Sequence, residues 1–144
     1  MIQVANSFGI TCTKEPTCYE YPSNKRRPDI LFHTDVGIAV DVSIVSPELV
    51  PGEHLQVIEK QKTKDHHAAV NAKQHVFYPA VFEAYGLFGK STVNLIAQLA
   101  RYLPTVLQAD FRREMRSSIA NALAQGRASA IVGTKWKAEG FVLT

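Results

Sequence analysis

Arg27-Pro28-Asp29-Ile30-Leu31-Phe32, followed by Ile38-Ala39-Val40-Asp41-Val42-Ser43-Ile44-Val45, decides the fold. Both runs are rich in β-branched and large apolar residues, and Asp35-Val36-Gly37 between them reads as a hairpin turn. Side chains alternate across a strand, so Val40, Val42 and Ile44 fall on one face and Asp41, Ser43 and Val45 on the other. An acid in the middle of such a strand needs a reason, because burying an unpaired carboxylate is costly.

Working outward, Phe8 to Thr13 alternates loosely and suggests an edge strand, and Pro16, Pro22, Ser23 and Asn24 mark a loop before the hairpin. Beyond it, Pro47, Pro51 and Gly52 break the strand. From about Glu53 to Lys73, Leu55, Ile58, Lys62 and His66 recur at helical steps. Val76 to Phe82 is a further β-run in which Pro79 argues for an edge position or a bulge. Gly86 and Gly89 form a turn. Two helices close the pattern, about Thr92 to Tyr102 and about Ala109 to Ala124, with Gly126 placed just past the end of the second. Met115, Ile119, Ala122 and Leu123 form the apolar stripe of that last helix, and Arg112, Arg113 and Arg116 lie towards its other side. The expected architecture is α/β: a mixed sheet with helices against it.

Bulk properties are those of an ordinary globular domain. The 144 residues are 46% hydrophobic and 20% charged, enough for one core, and no apolar run approaches the ~20 residues of a membrane span. Nothing at the amino terminus reads as a signal peptide, so an intracellular location is expected, nuclear in a eukaryotic host. Cys12 and Cys18 form neither a disulfide framework nor a CxxC pair and read as small, reduced, half-buried residues. The net charge of +3 permits a polyanionic partner without demanding one. Positive charge gathers at Lys25-Arg26-Arg27, at Lys60, Lys62 and Lys64, and at Arg112, Arg113 and Arg116. Such runs are ordinarily solvated faces, and they equally suit phosphate contacts.

The chemistry-bearing residues are Asp29 and Asp41. Across a short antiparallel pair, their spacing can bring both carboxylates to the same end of one sheet face. Two carboxylates that close repel unless a cation lies between them, and hard oxygen donors select Mg²⁺ or Mn²⁺. Such an ion can activate water and neutralise phosphate charge. Lys62 on the next helix, with Lys60 and Lys64 beside it, could stabilise that charge or orient the water. The plainer alternative makes Asp29 a turn cap and Asp41 a strand charge that blunts aggregation.

The same residues, Arg27 to Phe32 and then Val40 to Pro47, resemble the PD-(D/E)XK nuclease superfamily. They look most like the restriction-enzyme-like endonuclease domains of non-LTR retrotransposon and related reverse-transcriptase-associated reading frames. Glu59-Lys60-Gln61-Lys62-Thr63-Lys64-Asp65-His66 is similar to that family's lysine helix, with His66 at the place of a tyrosine. Phe77 to Gly86 and Ile119 to Ala128 are similar to the family's next strand and its helix ending, so the likeness runs from Glu15 to Ala130. It implies a restriction-endonuclease-like core of about residues 8–103 with a helical part of about 104–144, a single domain that could belong to a larger polyprotein. It implies Asp29 and Asp41 as catalytic metal ligands and Lys62 as the third catalytic member, with Lys60 as runner-up and Glu15 and His66 as further candidates. Ser43 stands where the superfamily's plain motif has lysine, a displacement found in the retrotransposon-like branch. The superfamily's leading helix is expected to be short or missing. The implied activity is nicking of target DNA during element insertion. Lys25, Arg26, Arg27, Lys64, Arg112, Arg113 and Arg116 would contact nucleic acid. Element RNA or reverse transcriptase are further partners, no membrane is involved, and a homodimer is allowed. A non-catalytic nucleic-acid-binding or degenerate nuclease-fold domain is the alternative.

Two other patterns compete. Ala84 to Ser91 satisfies a loose phosphate-loop pattern between a β-run and a helix, but the chain beyond Ser91 reads as helices without further parallel strands. Asp65-His66-His67, with His54 and His75, invites a metal reading. Adjacent helical residues point about 100° apart, however, so His66 and His67 cannot chelate one ion, and exposed or interfacial histidines are the simpler expectation. His66 keeps interest because it lies one turn from Lys62.

Overall fold

The hairpin anticipated around Asp35 forms and organises a four-stranded sheet. The computed structural model describes residues 1–22, 27–46 and 53–131, with side chains to 126. In chain order the elements are α1 (Ile2–Ser7), β1 (Cys12–Lys14), β2 (Ile30–Phe32), β3 (Ile38–Val45), α2 (Glu53–Asn71), β4 (Val76–Glu83), α3 (Lys90–Ala100) and α4 (Thr105–Ile131). Sheet order is β1-β2-β3-β4. The first two pairings are antiparallel, with Cys12 opposite Phe32 and Ile30 opposite Val40. β3 and β4 run parallel, with Asp41 opposite Pro79. The parallel pair needs a crossover, which α2 supplies. Pro79 sits on an edge strand, where a missing N–H costs least.

The alternation within β2, β3 and β4 sorts the sheet into two unlike faces. On one, Ile30, Phe32, Ile38, Val40, Val42, Ala80 and Phe82 pack with α1, α3 and α4 in the main core, which includes Leu95, Ile96, Leu99, Phe111, Met115 and Ile119. Leu31, Ala39 and Phe77 face the other way and meet Val70 and Ala69 of α2, together with Tyr19 and Tyr21 from the loop before β2. Asp41 belongs to this second face. Among the described residues no helix is long and apolar enough to cross a membrane.

Several boundaries differ from the sequence expectation. The edge strand is shorter and later than Phe8 to Thr13, because residues 2–7 form α1. Six residues without a side-chain cap would be marginal as an isolated helix. Complete burial of Met1 and Ala5 against the core holds them. α4 begins after Pro104 rather than near Ala109, and Gly126 lies inside it, buried, instead of terminating it. A helix-interior glycine costs only about 1 kcal/mol relative to alanine, which neighbouring good helix formers can offset.

Candidate active site

β2 and β3 bring the two aspartates together. Asp29 directly precedes β2, where its N–H donates to the Val40 carbonyl at 2.8 Å and its Oδ2 accepts from the Val42 N–H at 2.6 Å. Asp41, 3% exposed, projects from the middle of β3 towards α2. The carboxylates are close enough for a hydrogen bond between them, so they titrate as a pair. Burial pushes Asp29 up to about 6; the Val42 N–H opposes the rise, and the charge of Asp41 adds to it. Burial also works against ionised Asp41, but contacts from His66 and Lys62 outweigh it and hold that carboxyl below the usual range. A proton shared by the pair therefore resides on Asp29.

α2 supplies the partners of Asp41. Lys62 Nζ lies 2.7 Å from Asp41 Oδ2. The contact is a close ion pair, and no donor is aligned with that oxygen as a regular hydrogen bond. One turn on, His66 Nε2 is 3.7 Å from the same oxygen. The His66 ring, 3% exposed, stacks on Phe77 at 4.9 Å between centroids and meets Tyr21 edge-on. The Tyr21 hydroxyl is 2.7 Å from His66 Nδ1. Four segments thus converge: the loop before β2, the start of β2, the centre of β3 and the middle of α2.

The other candidates fall elsewhere. Lys60 and Lys64 are exposed on α2, and neither pairs with Asp41; helical geometry selects Lys62 from the three. Glu15 is exposed, and only its backbone approaches the site, its N–H donating to the Asp29 carbonyl at 2.8 Å. Among the described residues, no group of three His, Cys, Asp or Glu side chains is arranged to hold a metal ion. Arg27 is exposed two residues before Asp29; Lys25 and Arg26 lie outside the described residues. Arg112, Arg113 and Arg116 are exposed on α4, whose apolar side packs on the sheet face opposite Asp41, and Arg113 pairs with Asp110 at 2.7 Å. They do not converge with the aspartates.

His67 is exposed while His66 is buried, so the two diverge as expected, although His66 itself is neither exposed nor interfacial. Glu59 adds a further reason against the phosphate-loop reading. Its Oε1 accepts from the Ser91 N–H at 3.0 Å, and a Cβ at Gly89 would collide with that carboxylate. An acid from α2 already satisfies the α3 amino terminus, where a phosphate would have to sit. Tyr21 is the participant that sequence reasoning passed over; its only signal was the aromatic pair Tyr19 and Tyr21 just before Pro22.

No protein-family model matches the chain, and no curated protein matches its sequence.

Proposed function

We propose that the chain is a metal-dependent DNA endonuclease domain of restriction-endonuclease-like fold, within the PD-(D/E)XK superfamily and of mobile-element type. The observation that carries this reading is the meeting of Asp29 and Asp41 from neighbouring strands, with Lys62 Nζ 2.7 Å from Asp41. A mixed sheet flanked by helices supports it further.

The donor set suits a hard divalent cation. Two carboxylates converge, and the buried Asp41 Oδ2 has no aligned hydrogen-bond donor. Mg²⁺ is commonly held by one or two carboxylates, with water and substrate phosphate completing its octahedron, so a third acid is not required. Asp29 and Asp41 would hold Mg²⁺ or Mn²⁺, which would supply Lewis-acid polarisation of the phosphate and a more acidic water. The protein's own groups do the rest. Asp29, with its carboxyl near 6, is mostly ionised at neutral pH and ready to act as a ligand. The Lys62 ammonium, tethered to Asp41, is poised to balance negative charge that builds on a phosphate above the pair. Exposed Arg27 can hold a neighbouring phosphate.

The test is plasmid nicking in Mg²⁺, in Mn²⁺ and in EDTA, beside Asp41→Ala. Cleavage should need the ion and should fall by roughly a thousandfold or more in the variant, the scale of losing a central electrostatic group. Equal cutting by both proteins sinks the enzyme reading. The exposed basic residues Arg112, Arg113 and Arg116 on α4, away from the aspartates, favour as second reading a nucleic-acid-binding domain without catalysis. That domain would bind DNA equally well with or without Asp29 and Asp41 and would cut in neither form.

A further inference from the structure

We infer that Tyr21 is a positioning residue: its hydroxyl donates to His66 Nδ1 and thereby fixes His66 as the tautomer whose Nε2–H is turned towards Asp41. The inference deepens the nuclease reading and rests on it for its consequence, though not for its geometry.

A neutral imidazole carries one proton, and the partner of one nitrogen determines what the other presents. Tyr21 Oη stands 2.7 Å from Nδ1, while Nε2 stands 3.7 Å from Asp41 Oδ2. The second distance is beyond a hydrogen bond, yet a charge and an N–H dipole still interact strongly across it in a buried setting. Were Nδ1 the donor to Tyr21, the bare lone pair of Nε2 would face the Asp41 carboxylate. With Tyr21 donating, the N–H faces the negative oxygen, and every proton in the chain from Tyr21 to Asp41 points towards the acid. Tyr21 keeps its proton for this purpose: burial first, then the charge of Asp41, pushes its hydroxyl up to about 12.

The ring has little freedom to reorient. Phe77 stacks on it, and the Tyr21 ring closes its edge. Lys62 and His66 approach the same Asp41 oxygen from successive turns of α2. Both groups therefore bear on Asp41 from the helix side. Tyr21 acts through His66 and has no need to touch substrate. Outer groups that orient a metal-binding carboxylate or its neighbours typically change metal affinity by roughly ten- to a hundredfold.

The test uses the full chain. Nitrogen NMR of the histidine rings at mildly alkaline pH should show His66 neutral with its proton on Nε2. Tyr21→Phe, which keeps the ring and removes only the hydroxyl, should convert His66 to a tautomer mixture. The same variant should weaken Mn²⁺ binding, measured by calorimetry, by roughly tenfold. Its melting temperature, taken alongside, shows that the fold persists. A wild-type His66 protonated on Nδ1, or on both nitrogens, overturns the inference. So does a Tyr21→Phe protein whose His66 tautomer is unchanged. A wild-type chain that binds no Mn²⁺ and cuts no DNA instead removes the nuclease reading, and the ring spectrum still decides the tautomer.

Discussion

The two faces of the sheet use the same strands for opposite purposes. Facing α1, α3 and α4, the buried side chains of β2, β3 and β4 are apolar, and Phe32, Phe82, Phe111 and Met115 are fully enclosed. Towards α2 the apolar cluster is built on Tyr19, Leu31, Ala39 and Val70, and Asp41 and His66 are buried on the same side. Burial of apolar area stabilises at about 25 cal/mol per Å², whereas a buried charged group at best recovers its desolvation cost through its partners. The first face holds the fold. The second takes on electrostatic tension that the first can tolerate, and such tension is concentrated where function resides.

The sharpest way to break this division is on the apolar face. Phe111→Ala should lower stability by about 3–5 kcal/mol in denaturant unfolding, since the ring is fully buried and meets Phe8 edge-on. The nicking rate per folded molecule should not change. If that rate collapses while the protein remains folded, the two faces are not separable.

On the polar face, Lys62→Ala should cut nicking by about a hundredfold, the scale of one lost charge-stabilising donor. Exposed Lys60→Ala, two residues earlier, should leave it within about threefold, as surface charges usually do. A reversed ranking in a kinetic assay would move the amine to the other flank of α2.

A smaller effect is expected at the far end of the strands. An added Cβ at Gly37 would lie 2.8 Å from the His75 ring, which Tyr19 pins through a 2.6 Å hydrogen bond. Gly37→Ala should therefore cost about 1–3 kcal/mol by overpacking, with nicking intact. An unchanged melting temperature would show that His75 can yield.

The least effect, and the most specific, is a pH dependence. The Asp29 carboxyl is raised from 3.8 to about 6 by burial first, with the Asp41 charge adding to it, so the folded chain binds that proton more tightly than the unfolded one. Its contribution to stability is full below 3.8 and is lost as pH rises through about 6. Asp29→Asn should remove this loss and make the chain more stable than wild type above that pH. Discounted for partial exposure of the group, the gain is on the order of 1 kcal/mol. Melting curves between mildly acid and neutral pH measure it, and parallel curves for the two proteins would deny Asp29 its raised carboxyl.

Much of the site was legible because it depends on local periodicity. Period-two alternation in β3 separates Asp41 from Val40 and Val42, and period-3.6 spacing on α2 puts Lys62 and His66 on one side. Alternation cannot say which face of β3 meets α2, because that choice depends on the parallel crossover to β4. Tyr21 was hidden for a similar reason: it lies 45 residues from His66 in sequence, and loop residues carry no period. The phosphate-loop pattern was set aside in the sequence for want of further parallel strands, but that Glu59 from another helix occupies the place of the anion was not legible there.

By itself, the chain's residue order determined the hairpin, the long helix after it, the β-run that follows and the acid that interrupts an apolar strand. These features arise from steric and hydrophobic preferences acting over a few residues. Tertiary structure alone decided that α1 forms and that α4 runs through Gly126. It also decided that Tyr21 closes over His66. Each of these outcomes is set by contacts between segments distant in sequence, where burial and charge pairing outweigh local propensity.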